Sequence, residues 1–143
     1  MILLDTNVMS ELTRREPDAG VIAWLDCQPF LSIWTSSISI FETRYGLQVM
    51  AAGKQRDRVA ASFENFLAQM IENRILAFDA DAALEAATLM AARKRLGFPV
   101  DLRDTMIAGI ALSARATLAT RNTRHFHDLR VSVVNPWHEG AKL

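Results

Sequence analysis

The feature that most constrains this chain is a set of very short apolar runs, each closed by a polar residue. Ile2 to Leu4 ends at Asp5, Ile75 to Phe78 at Asp79, Thr117 to Ala119 at Thr120, and Val131 to Val134 at Asn135. Runs this short read as strands buried on both faces, as in a parallel sheet. A fifth run, Leu31 to Thr35, is mixed but strand-like.

Helical patterns fill the intervals. Thr6 to Arg14 suits a short helix capped by Asp5 or Thr6, and Gly20 to Cys27 carries Val21, Trp24 and Leu25 on one side. Ile38 to Met50 sets Ile38, Phe41, Tyr45 and Val49 on a stripe. Lys54 to Asn73 gathers Val59, Phe63, Phe66, Leu67 and Met70 on one face. Ala80 to Leu96 is Ala-rich and stops at Gly97, and Asp104 to Ala114 is strongly apolar. Alternating strands and helices predict an α/β sandwich around a mainly parallel sheet. In such folds ligands bind outside the carboxyl ends of the strands, which is where Asp5 falls.

At 143 residues with 50% hydrophobic content, one domain over 1–143 with a real core is expected. The 16 basic and 16 acidic residues balance, which argues against a protein that coats nucleic acid through bulk charge. Local basic patches can still grip a short stretch of RNA. Cys27 is the single cysteine, so no internal disulfide forms, and its apolar surroundings suggest a small core residue. Asp5 comes too early for a signal peptide, and no apolar run approaches a membrane span. A reduced, cytoplasmic, soluble protein without a membrane partner is expected.

Acids stand at three of the strand ends or helix starts. Asp5 alone reads as the N-cap of the next helix. Glu42 completes a capping box with Ser39, or sits in the second turn of a helix begun at Ser36 or Ser37; the two readings are even. Asp101 and Asp104 suit a cap and a first-turn acid, yet the helix after them is apolar enough to be buried. Taken together, the three sites Asp5, Glu42 and Asp104 have another reading, as carboxylates converging on the sheet's carboxyl edge. Such like charges repel unless a cation joins them, and Mg²⁺ or Mn²⁺ suits oxygen ligands. That arrangement serves phosphodiester hydrolysis by water.

The ordered blocks Leu4-Asp5-Thr6-Asn7, Ile40-Phe41-Glu42, Leu102-Arg103-Asp104-Thr105-Met106-Ile107-Ala108 and Thr120-Arg121-Asn122-Thr123-Arg124-His125-Phe126 resemble PIN-domain nucleases. Val134-Asn135-Pro136-Trp137 extends the likeness, which is greatest toward the VapC and FitB-like toxins of bacterial toxin–antitoxin pairs. The resemblance implies a PIN-like three-layer sandwich of four to five strands. It implies a Mg²⁺-dependent endoribonuclease (Mn²⁺ as a substitute) with Asp5, Glu42 and Asp104 as catalytic acids and Asp5 and Asp104 on the metal. Thr6, Asp101, Thr120 and Asn122 take supporting roles. The family block often has Asp where this chain has His125, so a one-metal site is expected.

The same resemblance implies a homodimer, an inhibiting cognate antitoxin, promoter DNA bound through the antitoxin complex, and an RNA substrate, with tRNA a candidate. Arg93, Lys94, Arg121 and Arg124 are candidates for the RNA backbone. The missing acid keeps open an alternative, a PIN-fold regulatory or binding module with little nuclease activity. A receiver domain lacks its central-strand Asp and distant Lys, and a dinucleotide-binding enzyme lacks its Gly-rich loop. His125 and His127 read as loop or surface residues, and Trp24, Trp34 and Trp137 as core or interface residues.

Overall fold

The computed structural model describes residues 1–143. Strands β1 (Ile2–Leu4), β2 (Ile33–Ser36), β3 (Ile75–Leu76), β4 (Thr117–Ala119) and β5 (Val133–Val134) form one sheet in the order β3-β2-β1-β4-β5. Every pairing is parallel, with Leu3 beside Trp34 on one side and Leu118 on the other.

The helices are α1 (Thr6–Leu12), α2 (Ala19–Asp26), α3 (Ser37–Val49), α4 (Lys54–Phe66), α5 (Ala80–Arg95), α6 (Leu102–Ala114) and α7 (Pro136–Ala141). Successive strand residues point to opposite faces. Leu4 therefore joins Val8, Met9, Trp24 and Phe63 in one apolar layer, while Leu3 joins Ile107, Ile110, Leu118 and Phe126 in the other. The result is the expected three-layer sandwich, with five strands.

Helix α6 lies close against α5 because Gly109 has no side chain. A Cβ there would meet Ala82 O at 2.5 Å and Ala86 Cβ at 2.7 Å. This contact fixes the helix that carries Asp104. At the end of α5, Gly97 adopts φ +73°, the left-handed conformation that stops a helix, as its sequence position predicts.

Some expectations are corrected. The Lys54 to Asn73 helix ends its α-helical part at Phe66 and continues as a π-turn over Leu67–Ile71. Cys27 is exposed at the end of α2, not a core residue. Most of the α3 stripe faces outward: Phe41, Tyr45 and Val49 are 57%, 55% and 65% exposed, while Ile38, Ile40 and Leu47 pack inward. Periodicity identified the helix correctly but carries no information about which apolar face the sheet covers. Helix α7 had no periodic signal at its short length; Pro136 starts it and Asn135 caps it.

Candidate active site

The strand order places a switch point between β1 and β4. Connections from β1 lead outward through β2 to β3, and the chain then returns to the other side of β1 for β4. The crevice beyond the carboxyl ends of these two strands is the favoured ligand position in an open α/β sheet. Asp5 follows β1 there, and Thr120 follows β4.

Asp5 is only 4% exposed. Its Oδ1 accepts from the Thr6 backbone N–H at 2.8 Å, so the helix cap read from sequence is real. Its Oδ2 is turned to the site, accepting from Thr120 Oγ1 at 2.7 Å and from Asn7 Nδ2 at 3.3 Å. Burial pushes the Asp5 carboxyl up from its ordinary 3.8 to about 6. Bonds from Thr120 and Thr6 oppose that rise, and the charges of Asp104 and Glu42 add to it.

Glu42 is placed by α3, whose N-cap is Ser36: Ser36 Oγ accepts from the Ser39 N–H at 3.1 Å. The Ser39–Glu42 capping box is therefore not formed, and Glu42 lies in the second turn. Thr6 Oγ1 lies 2.7 Å from Glu42 Oε1 and 2.9 Å from Ser39 Oγ. Since the carboxylate can only accept, the Thr6 hydroxyl donates to Glu42 and ties β1's carboxyl end to α3. Arg103 Nη1 stands 3.6 Å from Glu42 Oε2.

Asp104 enters from the first turn of α6, which Asp101 caps through a 2.9 Å bond from the Asp104 N–H to Asp101 Oδ1. Asp101 is thus engaged in holding the turn. Asp104 Oδ2 lies 3.2 Å from His125 Nδ1. Asn122 is exposed at the start of the loop after β4, and its backbone N–H donates to Thr120 Oγ1 at 3.1 Å.

The structure thus brings Asp5, Glu42 and Asp104 together electrostatically, with Thr6 and Thr120 as direct partners of the acids. Asp5 has no cationic side chain among its hydrogen-bond partners. This all-oxygen set fits a hard divalent cation. No three of the His, Cys, Asp and Glu side chains converge closely enough to cage an ion by themselves. The chemistry suits an ion held by one or two carboxylates that keeps several waters.

Among the basic candidates, Lys94, Arg121 and Arg124 are exposed. Arg121 lies 4.8 Å over the Trp137 ring. Arg93 is a correction: it is buried in an ion pair, not exposed as a contact for the RNA backbone. Its guanidinium pairs with both Asp128 oxygens at 2.9 and 2.8 Å and donates to His125 O at 2.8 Å. The Arg93 bonds hold the Asp128 carboxyl below the usual carboxylate range. A run of adjacent basic residues on a helix necessarily spreads around it, so one member can point inward.

Sequence reasoning missed Asn7, Ser39 and Arg103. Asn7 and Arg103 are direct neighbours of motif acids or their hydroxyl partners, and that adjacency was the available signal. The bond between Asn7 Oδ1 and the Arg121 N–H at 3.1 Å joins chain segments that no local pattern relates.

The PIN domain family model matches residues 2–131. The chain is 42% identical to plasmid stability protein StbB of Pseudomonas syringae pv. tomato, covering 96% of this chain and 99% of that protein. It is 39% identical to VapC ribonuclease Y4jK of Sinorhizobium fredii, over 96% and 98% of the two chains. A solved structure of FitAB bound to an IR36 DNA fragment contains a chain 36% identical, with a TM-score of 0.86 and 96% coverage of both. A match of this extent, over a sheet whose carboxyl edge carries the acids, identifies the chain as a member of the PIN domain family.

Proposed function

We propose that this protein is the toxin of a type II toxin–antitoxin pair, acting as a Mg²⁺-dependent endoribonuclease in the cytoplasm. The carrying observation is the gathering of Glu42 and Asp104 with a buried Asp5 whose carboxyl is pushed up to about 6. Burial is the main cause of that rise and the charges of Asp104 and Glu42 add to it; a bound cation offsets both. The names of relatives support the reading, one being a VapC ribonuclease, one the toxin FitB, and one a FitAB complex bound to DNA.

Asp5 and Asp104 would hold Mg²⁺, with Mn²⁺ as a substitute. When bound, the cation supplies Lewis acidity toward the phosphodiester and its attacking water. Thr120 and Thr6 fix the orientations of Asp5 and Glu42. Glu42, on the other side of Thr6 and with Arg103 beside it, would accept a proton from water. Asp101 holds the Asp104 turn, and Asn122 offers a neutral amide at the rim. Lys94, Arg121 and Arg124 offer non-specific phosphate contacts.

The working unit is a homodimer, restrained by a cognate antitoxin that also brings promoter DNA to the complex. Structured RNA such as tRNA is the proposed substrate. Relatives named as ribonucleases favour this reading over the alternative of a non-catalytic module.

The test is cleavage of RNA by purified protein. Mg²⁺-dependent hydrolysis that Asp5→Ala and Asp104→Ala each abolish is expected. Cleavage that continues unchanged in both variants sinks the site assignment.

A further inference from the structure

We propose that the recess beside Asp104 is a subsite for one unstacked RNA base, that of a nucleotide adjacent to the scissile phosphate. The inference rests on the ribonuclease reading above and assigns that site a base-reading element.

The recess has a volume of about 260 Å³ and lies between the segment after α5 and the loop after β4. It shares Asp104 and His125 with the acid cluster. An occupant is therefore within one nucleotide of a phosphate bound at those acids. Phe98 and His127 line the recess, their ring centroids 6.2 Å apart and their planes inclined at 59°. That tilt admits no base between them, so a base in the recess would stack on one ring. Phe98 is 43% exposed and lines an otherwise polar hollow.

The polar groups fit a base edge. His127 Nδ1 lies 2.7 Å from the Arg124 carbonyl oxygen. A carbonyl only accepts, so Nδ1 carries the proton and a neutral ring presents Nε2 as an acceptor. Asp101 spends Oδ1 on the helix cap and retains Oδ2 as a second acceptor. His127 and Asp101 both line the recess, and two such acceptors suit a base bearing an exocyclic amino group. Asp101 and Asp104 line the same hollow, while Asp128 is neutralised there by Arg93; the first two acids disfavour a phosphate beside them. Exposed Arg124 at the recess suits the backbone outside.

The recess is held in shape before any ligand arrives. Arg93 ties Asp128 and the His125 carbonyl from beneath, so the loop carrying His125 and His127 is anchored to α5. A preformed wall loses little freedom on binding.

The experiment walks a single abasic site along a short single-stranded RNA. Binding is read by fluorescence anisotropy without divalent cation, and cleavage is read separately with Mg²⁺. The wild-type protein should lose about tenfold in affinity at one position only, the size of one base–aromatic stack. Phe98→Ala and His127→Ala should each weaken binding of intact RNA and erase the further loss at that position. Phe98→Trp, which keeps a stacking face, should retain it. Additive losses in the variants, or no position-specific loss in the wild type, overturn the subsite. Position-specific binding without cleavage supports the subsite while removing the nuclease reading. Cleavage without that binding pattern does the reverse.

Discussion

Thr120 donates a 2.7 Å hydrogen bond to Asp5 across 115 residues of chain, joining the ends of β4 and β1. That bond orients the most buried acid of the site and favours its ionised form. Replacing it with Thr120→Val should push the Asp5 carboxyl above about 6 and weaken divalent-cation binding. A hydrogen bond to a charged group is worth about 1.5–3 kcal/mol, so a loss of about tenfold or more at pH 7 is expected. Titration calorimetry with Mn²⁺ measures it. The deficit should shrink as pH rises, and Thr120→Ser should restore binding.

The raised Asp5 carboxyl has a stability consequence. Below pH 3.8 both folded and unfolded chains keep the proton, and no penalty exists. Between 3.8 and about 6 the unfolded chain ionises first, so stability falls, and above about 6 the penalty is complete. A rise from 3.8 to about 6 corresponds to about 3 kcal/mol. In a chelator, Asp5→Asn should therefore be more stable than wild type at pH 7.5 by about 2–3 kcal/mol in chemical denaturation. The gain should vanish near pH 4. A variant no more stable than wild type at pH 7.5 contradicts the ionised, buried carboxylate.

Arg93 acts as a structural clamp. Arg93→Met leaves Asp128 and the His125 carbonyl without their partner, which should cost about 2–3 kcal/mol of stability. Hydrogen exchange should accelerate in residues 122–128 more than in β1. Equal acceleration throughout, or none, argues against the clamp.

The exposed cations should separate from Arg93 in salt dependence. Arg121→Ala and Lys94→Ala should each reduce the slope of log binding constant against log salt by about 0.7–0.9 for RNA. Arg93→Met should leave that slope unchanged, because its guanidinium is buried against Asp128. A reduced slope in Arg93→Met returns that residue to the RNA interface.

Gly109→Ala tests how α6 is seated. The added methyl would meet Ala82 O and Ala86 Cβ at 2.5 and 2.7 Å, so the helix pair must part. About 1–3 kcal/mol of destabilisation is expected from overpacking. Because Asp104 rides on α6, cation affinity should fall as well. Stability loss with unchanged affinity separates the packing role from the positioning role.

By itself, the sequence determined the alternation of short strands and helices, because apolar periodicity and caps act locally. Asp5, Asp101 and Gly97 stand where local rules put them: each satisfies the backbone of its own helix end. The ordered motifs also located the three acids, but as single positions, each with an ordinary capping explanation. Only the tertiary structure decided that Asp5 is both a cap and a partner of Thr120. It alone rejected the Ser39–Glu42 box, turned Arg93 inward, left Phe41 and Tyr45 outside, and set His125 against Asp104. The reason is physical. Caps and helical faces depend on neighbours within one turn, whereas burial and charge coupling depend on which distant segments the parallel sheet brings to one edge.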